Sequence, residues 1–144
     1  MEVGSICCRE VDTMTAAETA QIAAKRMLQR NVGSLVIVDD SGVPVGIVTD
    51  RDLALRVMAQ DLPYLTPIEK VMSRDVRCVQ EGHSLDAALN AMRLTPCRRL
   101  PVVDEDGKLI GIVTLDDIHA FHAEEAAMMS VVLRRENPSR VAEP

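Results

Sequence analysis

The hydrophobic and polar positions of this chain pass through the same succession of patterns twice. In each half, a short extended segment (10–13 and 75–79) precedes apolar residues at the i, i+3/i+4, i+7 spacing of an amphipathic helix. These apolar positions are Ala16, Ala20, Ala23, Ala24 and Met27 in the first half, and Leu85, Ala88, Leu89 and Met92 in the second. Thr19 and Ser84, at matching positions, carry side chains preferred at helix N-caps. The pattern predicts one buried helical stripe in each half.

Two short apolar runs follow each predicted helix. They are Leu35–Val38 and Val45–Val48 in the first half, and Leu100–Val103 and Ile110–Val113 in the second. Such short, almost wholly apolar runs are typical of buried β-strands. Gly46 and Gly111 interrupt the second run of each half, and since glycine weakens a strand, its recurrence indicates close approach of backbone or of a ligand. With a final helix beginning at Thr49 and Thr114, the predicted order is β-α-β-β-α, twice.

The two halves also share identical residues in register. Residues 33–53 align without a gap on 98–118, and nine of the 21 paired positions are identical. A repeat with a period of 65 residues is a duplicated substructure rather than a short solenoid unit. We therefore predict an α/β (more narrowly α+β) fold, in which two pseudo-symmetric halves pack through their sheets and form two related clefts where they meet.

The alignment also divides the chain. One repeat is predicted over residues 5–60 and a second over 72–125. Residues 61–71 form a linker, in which Thr66-Pro67-Ile68-Glu69 has the capping-box spacing and predicts a short helix. The remaining residues, 126–144, are expected to continue the last helix and to end in a disordered tail after Asn137-Pro138.

Composition narrows the possible functions. The chain is 47% hydrophobic, with Tyr64 and Phe121 as its only aromatic residues, so the predicted core is aliphatic. A net charge of −6 argues against nucleic-acid binding, which needs a basic face. We find no signal-peptide pattern and no apolar run approaching the ~18 residues of a membrane span. The chain is therefore expected to be soluble and cytoplasmic, without nucleic-acid or membrane partners.

Residues suited to catalysis or metal binding are scattered. The four cysteines, Cys7, Cys8, Cys78 and Cys97, match no paired zinc spacing and are expected to be free thiols. A redox or soft-metal role of the adjacent Cys7 and Cys8 is the alternative. His119 and His122 lie three apart on a predicted helix but lack a clear third ligand, so we predict no metal site. No nucleophile–base pairing is visible, and no catalytic residue or enzyme activity is predicted.

The most specific motif is strand–Thr–x–x–Asp–helix, present as Thr49 to Asp52 and as Thr114 to Asp117. One interpretation is helix capping, in which threonine accepts a free N–H of the first turn. Capping explains aspartate less well, because the reciprocal residue is normally the longer Glu or Gln. The other interpretation is a nucleotide subsite, with phosphate at a helix N-terminus, ribose on the carboxylate and Arg51 neutralising charge. The two interpretations are compatible.

These motifs resemble those of a tandem pair of CBS domains, the module first described in cystathionine β-synthase. The pattern "apolar strand, Asp, turn Gly, apolar-Gly-Ile-Val-Thr-x-x-Asp-apolar" occurs in both halves, and the resemblance covers roughly residues 5–125. It most resembles the stand-alone bacterial form. The family implies clefts that bind adenosine-containing ligands such as AMP, ADP, ATP or S-adenosylmethionine, with no required cofactor.

The resemblance also assigns ligand contacts. Asp52 and Asp117 would hold ribose, Thr49 and Thr114 would lie near ribose and phosphate, and Arg51 would contact phosphate. The backbone of Val11–Thr13 and of Val76–Cys78 would meet the adenine edge, and Ile47 and Ile112 would line its faces. The second half carries Asp116 where the first has Arg51, and Arg98 and Arg99 are expected to compensate. The two clefts are therefore expected to differ.

Two functions follow. The first is a regulatory sensor of an adenosyl ligand, active as a homodimer. The second is a non-catalytic interaction module with vestigial clefts, which regulates a partner protein. An apolar cluster late in the last helix is expected to form the dimer contact; it comprises Met128, Met129, Val131, Val132 and Leu133.

Overall fold

A computed structural model describes residues 1–136. The first half comprises β1 (Thr13–Met14), α1 (Ala20–Arg30), β2 (Ser34–Val38), β3 (Pro44–Thr49) and α2 (Asp50–Asp52), which continues as a π-helical turn over Leu53–Met58. The second comprises β4 (Val79–Gln80), α3 (Leu85–Leu94), β5 (Arg99–Val103), β6 (Leu109–Thr114) and α4 (Leu115–Glu136). Short 3-10 turns cover Val3–Ser5 and Ile68–Lys70. The predicted order β-α-β-β-α, twice, is confirmed.

Each half contains one three-stranded sheet, in the orders β1-β2-β3 and β4-β5-β6. The first two strands of each sheet are parallel and the last two antiparallel. The registers match between the halves: Leu35 faces Val48 as Leu100 faces Val113, and each ladder shifts at the same point before its turn. Leu35, Val48, Leu100 and Val113 are fully buried, as expected for aliphatic core strands.

The helix caps agree with the sequence in two places and differ in a third. Thr19 Oγ1 accepts a hydrogen bond from Ile22 N at 3.3 Å, and Ser84 Oγ accepts one from Ala87 N at 3.2 Å, so both predicted N-caps are confirmed. The capping box predicted at Thr66 is wrong. Its hydroxyl donates instead to the Pro63 carbonyl at 2.6 Å, and only a 3-10 turn follows. Pro67, rather than Thr66, directly precedes this turn, and no side chain caps it.

The two hydrophobic cores each contain a segment from outside their own half. The core around α1 includes Ile68, Val71 and Met72, whereas the core around α3 includes Val3. Matching hydrogen bonds hold these segments: Ile68 N donates to Glu18 O and Val3 N donates to His83 O, both at 2.8 Å. Each half is thus completed by residues that precede the first strand of the other half.

Further backbone bonds join each sheet to the segment that precedes the first strand of the other half. Cys8 and Ile112 exchange two hydrogen bonds of 2.9 Å, and Ser73 and Ile47 exchange matching bonds of 2.9 and 3.1 Å. Because Cys8 matches Ser73 and Ile112 matches Ile47 in the 65-residue repeat, these contacts are related by pseudo-twofold symmetry. The halves therefore form one module, as predicted.

Helix α4 extends beyond the second repeat. It runs from Leu115 to Glu136, so the predicted helical continuation through residues 123–135 is confirmed. Several of its apolar side chains are exposed, among them Met128 at 71% and Leu133 at 63%. None of the helices within residues 1–136 is both long and apolar enough to cross a membrane. The predicted disordered tail lies outside the described residues.

Candidate functional site

Two pseudo-symmetric clefts lie where the halves meet. We call them cleft 1 and cleft 2, with volumes of about 190 and 70 Å³. Their linings correspond position by position: Glu10 to Asp75, Val11 to Val76, Asp12 to Arg77, Val32 to Cys97, Ser34 to Arg99, and Val36 to Pro101. Cleft 2 has the large side chain of Arg99 where cleft 1 has the small Ser34, and this difference contributes to the smaller volume of cleft 2.

Each cleft has one wall from the opposite half. Ile112 lines cleft 1 and Ile47 lines cleft 2. The backbone bonds to Cys8 and Ser73 place these isoleucines across the interface. An aliphatic side chain in each cleft presents an apolar surface of the kind that covers the face of a flat ring.

The structure brings together only part of the predicted site. Val11 lines cleft 1, and Val76 and Arg99 line cleft 2. Thr13 and Cys78 do not line either cavity: Thr13 pairs with Val36 within the first sheet, and Cys78 lies just before β4.

The Thr–x–x–Asp motifs form closed capping boxes. Thr49 Oγ1 accepts from Asp52 N at 3.1 Å, and Asp52 Oδ2 accepts from Thr49 N at 2.9 Å. Thr114 and Asp117 make the same two bonds at 3.1 and 2.9 Å. The expectation that capping explains aspartate less well is wrong, because both carboxylates accept a hydrogen bond from the threonine N–H. Capping therefore accounts for both residue types.

These boxes stand beside the clefts rather than in their linings. Thr49 pairs with Ser34 across the β2–β3 ladder, and Thr114 pairs with Arg99 across β5–β6. Since Ser34 and Arg99 line the cavities, each box begins its helix one strand away from a cleft. This arrangement suits a ligand that extends from a cleft toward a helix N-terminus.

Each aspartate of the two boxes has one carboxylate oxygen outside the capping box, and the surroundings of these oxygens differ between the two halves. Asp52 Oδ1 lies 3.6 Å from Arg56 Nε, an i,i+4 ion pair. Asp117 Oδ1 has no hydrogen-bond or ion-pair partner within the described part of the chain. Asp117 can therefore accept a further hydrogen bond without losing an existing contact.

The arginines also occupy different surroundings. The side chain of Arg51 is exposed, outside both cavity linings, and forms no ion pair with any described residue. Arg98 lies 3.5 Å from Asp116, with the two side chains 73% and 87% exposed, so this pair contributes little stability. Arg99 is half-buried, and its guanidinium has no partner among residues 1–136.

Sequence reasoning missed Asp12 and Arg77. Both fall in segments assigned to backbone recognition, yet both line a cleft. The available signal was a charge reversal at matching positions of the two repeats.

All four cysteines are free thiols. Burial raises the pKa of Cys7 and of Cys78, which keeps these thiols protonated at neutral pH. A protonated thiol is a poor nucleophile, so the raised pKa of Cys7 weakens the alternative redox interpretation of the Cys7-Cys8 pair. Residues 1–136 contain no group of three or more His, Cys, Asp or Glu side chains arranged to hold a metal ion.

Comparison with known proteins agrees with this architecture. A family model described as "CBS domain" matches residues 3–59 and 68–124. An uncharacterized protein of Methanopyrus kandleri is 40% identical over 119 residues, which are 82% of this chain and 61% of that protein. The match thus spans about three fifths of that relative's length.

Two solved structures are similar in fold and carry ligands. One is the CBS domain pair of protein MJ0100 in complex with 5′-methylthioadenosine and S-adenosyl-L-methionine. It has a TM-score of 0.77 and 30% identity, covering 87% of this chain and 98% of that one. The other is CBSX2 in complex with AMP, with a TM-score of 0.73 and 25% identity, also covering 87% of this chain and 98% of that one. On the family match and the repeated architecture, the chain belongs to the CBS domain family, as a tandem pair of CBS domains.

Proposed function

We propose that this protein is a regulatory module that senses an adenosine-containing ligand bound in the clefts between its two CBS repeats. The observation that carries the proposal is the pair of pseudo-symmetric clefts, each lined by both repeats and each one strand from a Thr–x–x–Asp box. A ligand that contacts both halves stabilises one arrangement of the halves over others, which is the physical requirement for a sensor.

The residues proposed to bind this ligand fall into three groups. The backbone around Val11 and Val76 would meet the adenine edge, and Ile47 and Ile112 would cover its faces. The boxes would contact ribose and phosphate through Thr49, Asp52, Thr114 and Asp117, with Arg51 and Arg99 toward phosphate. Similar CBS pairs solved with 5′-methylthioadenosine, S-adenosyl-L-methionine or AMP support this ligand class.

A thermal-shift series tests the proposal. Purified protein would be melted with AMP, ADP, ATP, S-adenosylmethionine and 5′-methylthioadenosine, and with GMP as the control. A ligand present at about a hundred times its dissociation constant adds roughly 2.7 kcal/mol to the free energy of unfolding. For a domain of this size, that raises the melting temperature by roughly 5–10 °C. A shift of equal size with GMP, or no shift with any adenosyl compound, would contradict the proposal.

A second candidate function is protein interaction without a ligand. Two observations favour it: the capping boxes account for threonine and aspartate on their own, and the first half exposes apolar side chains on its helices. These exposed residues include Leu28 at 83% and Met58 at 79%. Under this alternative, no adenosyl ligand shifts the melting temperature, and a partner protein is retained by the immobilised chain.

We further propose that the protein is a homodimer joined through the apolar end of α4. Met128, Met129, Val132 and Leu133 are each more than half exposed there, a concentration of apolar surface that favours association. Light scattering of the wild type is expected to give twice the chain mass. Leu133→Glu should shift the protein toward monomer, because pairing would bury the new carboxylate.

Ser41→Glu is the control for this dimer test, since it adds the same charge on an exposed turn. A wild-type protein that is monomeric at high concentration would refute the homodimer. A Leu133→Glu variant that stays dimeric would refute this contact.

A further inference from the structure

The two clefts differ in the charges of their linings. Cleft 1 carries the carboxylates of Glu10 and Asp12 and no cationic side chain. Cleft 2 carries the guanidinium groups of Arg77 and Arg99 with one carboxylate, that of Asp75. The charge balance therefore changes sign between two cavities that are otherwise related by the repeat.

The two arginines that line cleft 2 have no side-chain partner among residues 1–136. Within residues 1–136, neither Arg77 nor Arg99 donates a side-chain hydrogen bond or forms an ion pair. Arg99 is nevertheless half-buried and lines the cavity. A partly desolvated guanidinium without a counter-charge gains most from an anion, and its planar fork suits the oxygens of a phosphate.

The surroundings of Arg99 extend this anion-binding character. Thr114, its partner across the ladder, directly precedes α4, a helix of 22 residues whose dipole places partial positive charge at its start. Two of its first N–H groups are already bonded, Leu115 N to Arg98 O and Asp117 N to Thr114 Oγ1, so the contribution of α4 is this partial charge. Asp116 in the first turn opposes an anion, but the Arg98 guanidinium stands 3.5 Å from that carboxylate and offsets its charge. A ligand bound in cleft 2 whose phosphate group extends out of the cavity would therefore place that phosphate near both Arg99 and the N-terminus of α4.

Cleft 1 has the opposite character. Asp12 is paired with Arg30 Nε at 2.8 Å, so the charges of these two groups offset each other. Glu10 is exposed at the cleft and has no cationic partner among the described side chains. A phosphate placed there would face the unpaired carboxylate of Glu10 and no cation in the lining, whereas an uncharged thioether or a sulfonium cation would not be repelled.

We propose that cleft 2 selects adenosine ligands bearing a 5′-phosphate, whereas cleft 1 takes adenosyl ligands without phosphate. This assignment rests on the proposed function, since it divides the ligand class between the two clefts. It narrows that function in one respect: Arg51, which is exposed and outside the lining of cleft 1, is not needed as a phosphate contact. Arg99 is the specificity-determining residue, and the serine at the matching position 34 marks the cleft that lacks this specificity.

Calorimetric titration of the full chain with AMP and with adenosine tests the selection. The wild type is expected to bind AMP more tightly than adenosine. Arg99→Ser, which installs the residue of the other half, should weaken AMP binding by roughly 10- to 100-fold. It should leave adenosine binding within about twofold. Arg93→Ser is the matched control, because it removes the same charge from an exposed position on α3 outside both cavity linings.

A second titration tests the division between clefts. Protein saturated with AMP is expected to bind one further 5′-methylthioadenosine per chain, because cleft 1 remains open to a ligand without phosphate. Equal affinities for AMP and adenosine, or equal losses in Arg99→Ser and Arg93→Ser, would overturn the selection while leaving the adenosyl sensor intact. Complete exclusion of 5′-methylthioadenosine by AMP would overturn the division. Failure of every adenosine compound to bind would overturn the proposed function as well.

Discussion

Asp117→Ala is expected to weaken binding of a ribose-containing ligand at cleft 2 by about 10- to 100-fold, the effect of losing a hydrogen bond to a charged group. The carboxylate has one oxygen in the capping box and the other without a partner among residues 1–136, so a ribose hydroxyl can donate to it without displacing an existing bond. The same substitution removes the acceptor for Thr114 N, which should lower the free energy of unfolding by about 1 kcal/mol.

The two effects of this substitution can be separated by a second variant. Asp117→Asn retains a carbonyl oxygen that can accept from Thr114 N, so its melting temperature should stay close to that of the wild type. It lacks the negative charge that strengthens a bond from ribose, so affinity for AMP should still fall. Calorimetric titration and thermal melting of both variants give the comparison.

Asp86→Ala supplies the control for Asp117. Asp86 also stands in the first turn of a helix, but it is exposed and outside both cavity linings. Its removal should leave ligand affinity unchanged. If Asp117→Ala binds AMP as tightly as Asp86→Ala does, then Asp117 serves only as a cap, and the ribose assignment is wrong.

Asp52 should respond differently from Asp117. Its second oxygen is 3.6 Å from Arg56, so a ribose hydroxyl must share that carboxylate with an existing ion pair. The Thr–x–x–Asp motif alone does not predict this difference between Asp52 and Asp117, because the difference depends on the side chain four positions after the aspartate. Position 56 is an arginine, and its equivalent, 121, is a phenylalanine.

The secondary structure and the repeat were predictable because their signals are local. Apolar spacing places Ala23 and Ala88 on buried helix faces, and Thr19 and Ser84 cap those helices through bonds spanning three residues. The wrong capping-box prediction at Thr66 also has a local cause. A threonine with a carbonyl three residues before it has two local partners, and spacing alone does not decide between them.

Contacts between the halves were less accessible to sequence reasoning. Val3 packs in the core of the second half and Ile68 in that of the first, an exchange that depends on how two complete units dock. The clefts also depend on how the halves dock, since Ile112 of the second half lines cleft 1 and Ile47 of the first half lines cleft 2. Asp12 and Arg77 were overlooked because their segments were interpreted through backbone alone.

The recurring strand glycines were predicted to mark close approach, and the structure identifies what approaches them. A Cβ at Gly111 would lie 2.8 Å from Cys7 Sγ and 3.0 Å from the carbonyl oxygen of Cys8, and a Cβ at Gly46 would collide with the side chain of Met72. The neighbours are protein atoms of the exchanged segments, so these glycines permit the halves to interlock.

Gly111→Ala is therefore expected to destabilise the whole module rather than one strand. The added methyl group meets the backbone of Cys8, which is fixed by its two 2.9 Å hydrogen bonds to Ile112 and cannot retreat without breaking them. Overpacking of this kind costs about 1–3 kcal/mol, which for a domain of this size lowers the melting temperature by roughly 2–12 °C. Gly46→Ala should cost less, because the atoms it meets belong to the flexible methionine side chain.

Gly82→Ala is the reference for this series, since a Cβ there meets no atom within 4 Å. Thermal melting of the three variants should rank them Gly82→Ala, Gly46→Ala, Gly111→Ala in order of increasing loss. Because Gly111 neighbours Ile112, the loss should extend to cleft 1, so Gly111→Ala should also weaken adenosine binding there. A Gly111→Ala protein as stable as Gly82→Ala would mean that the N-terminal segment is not docked against β6. The exchange of segments between the halves would then be absent in solution, and cleft 1 would lose the contact that positions its isoleucine.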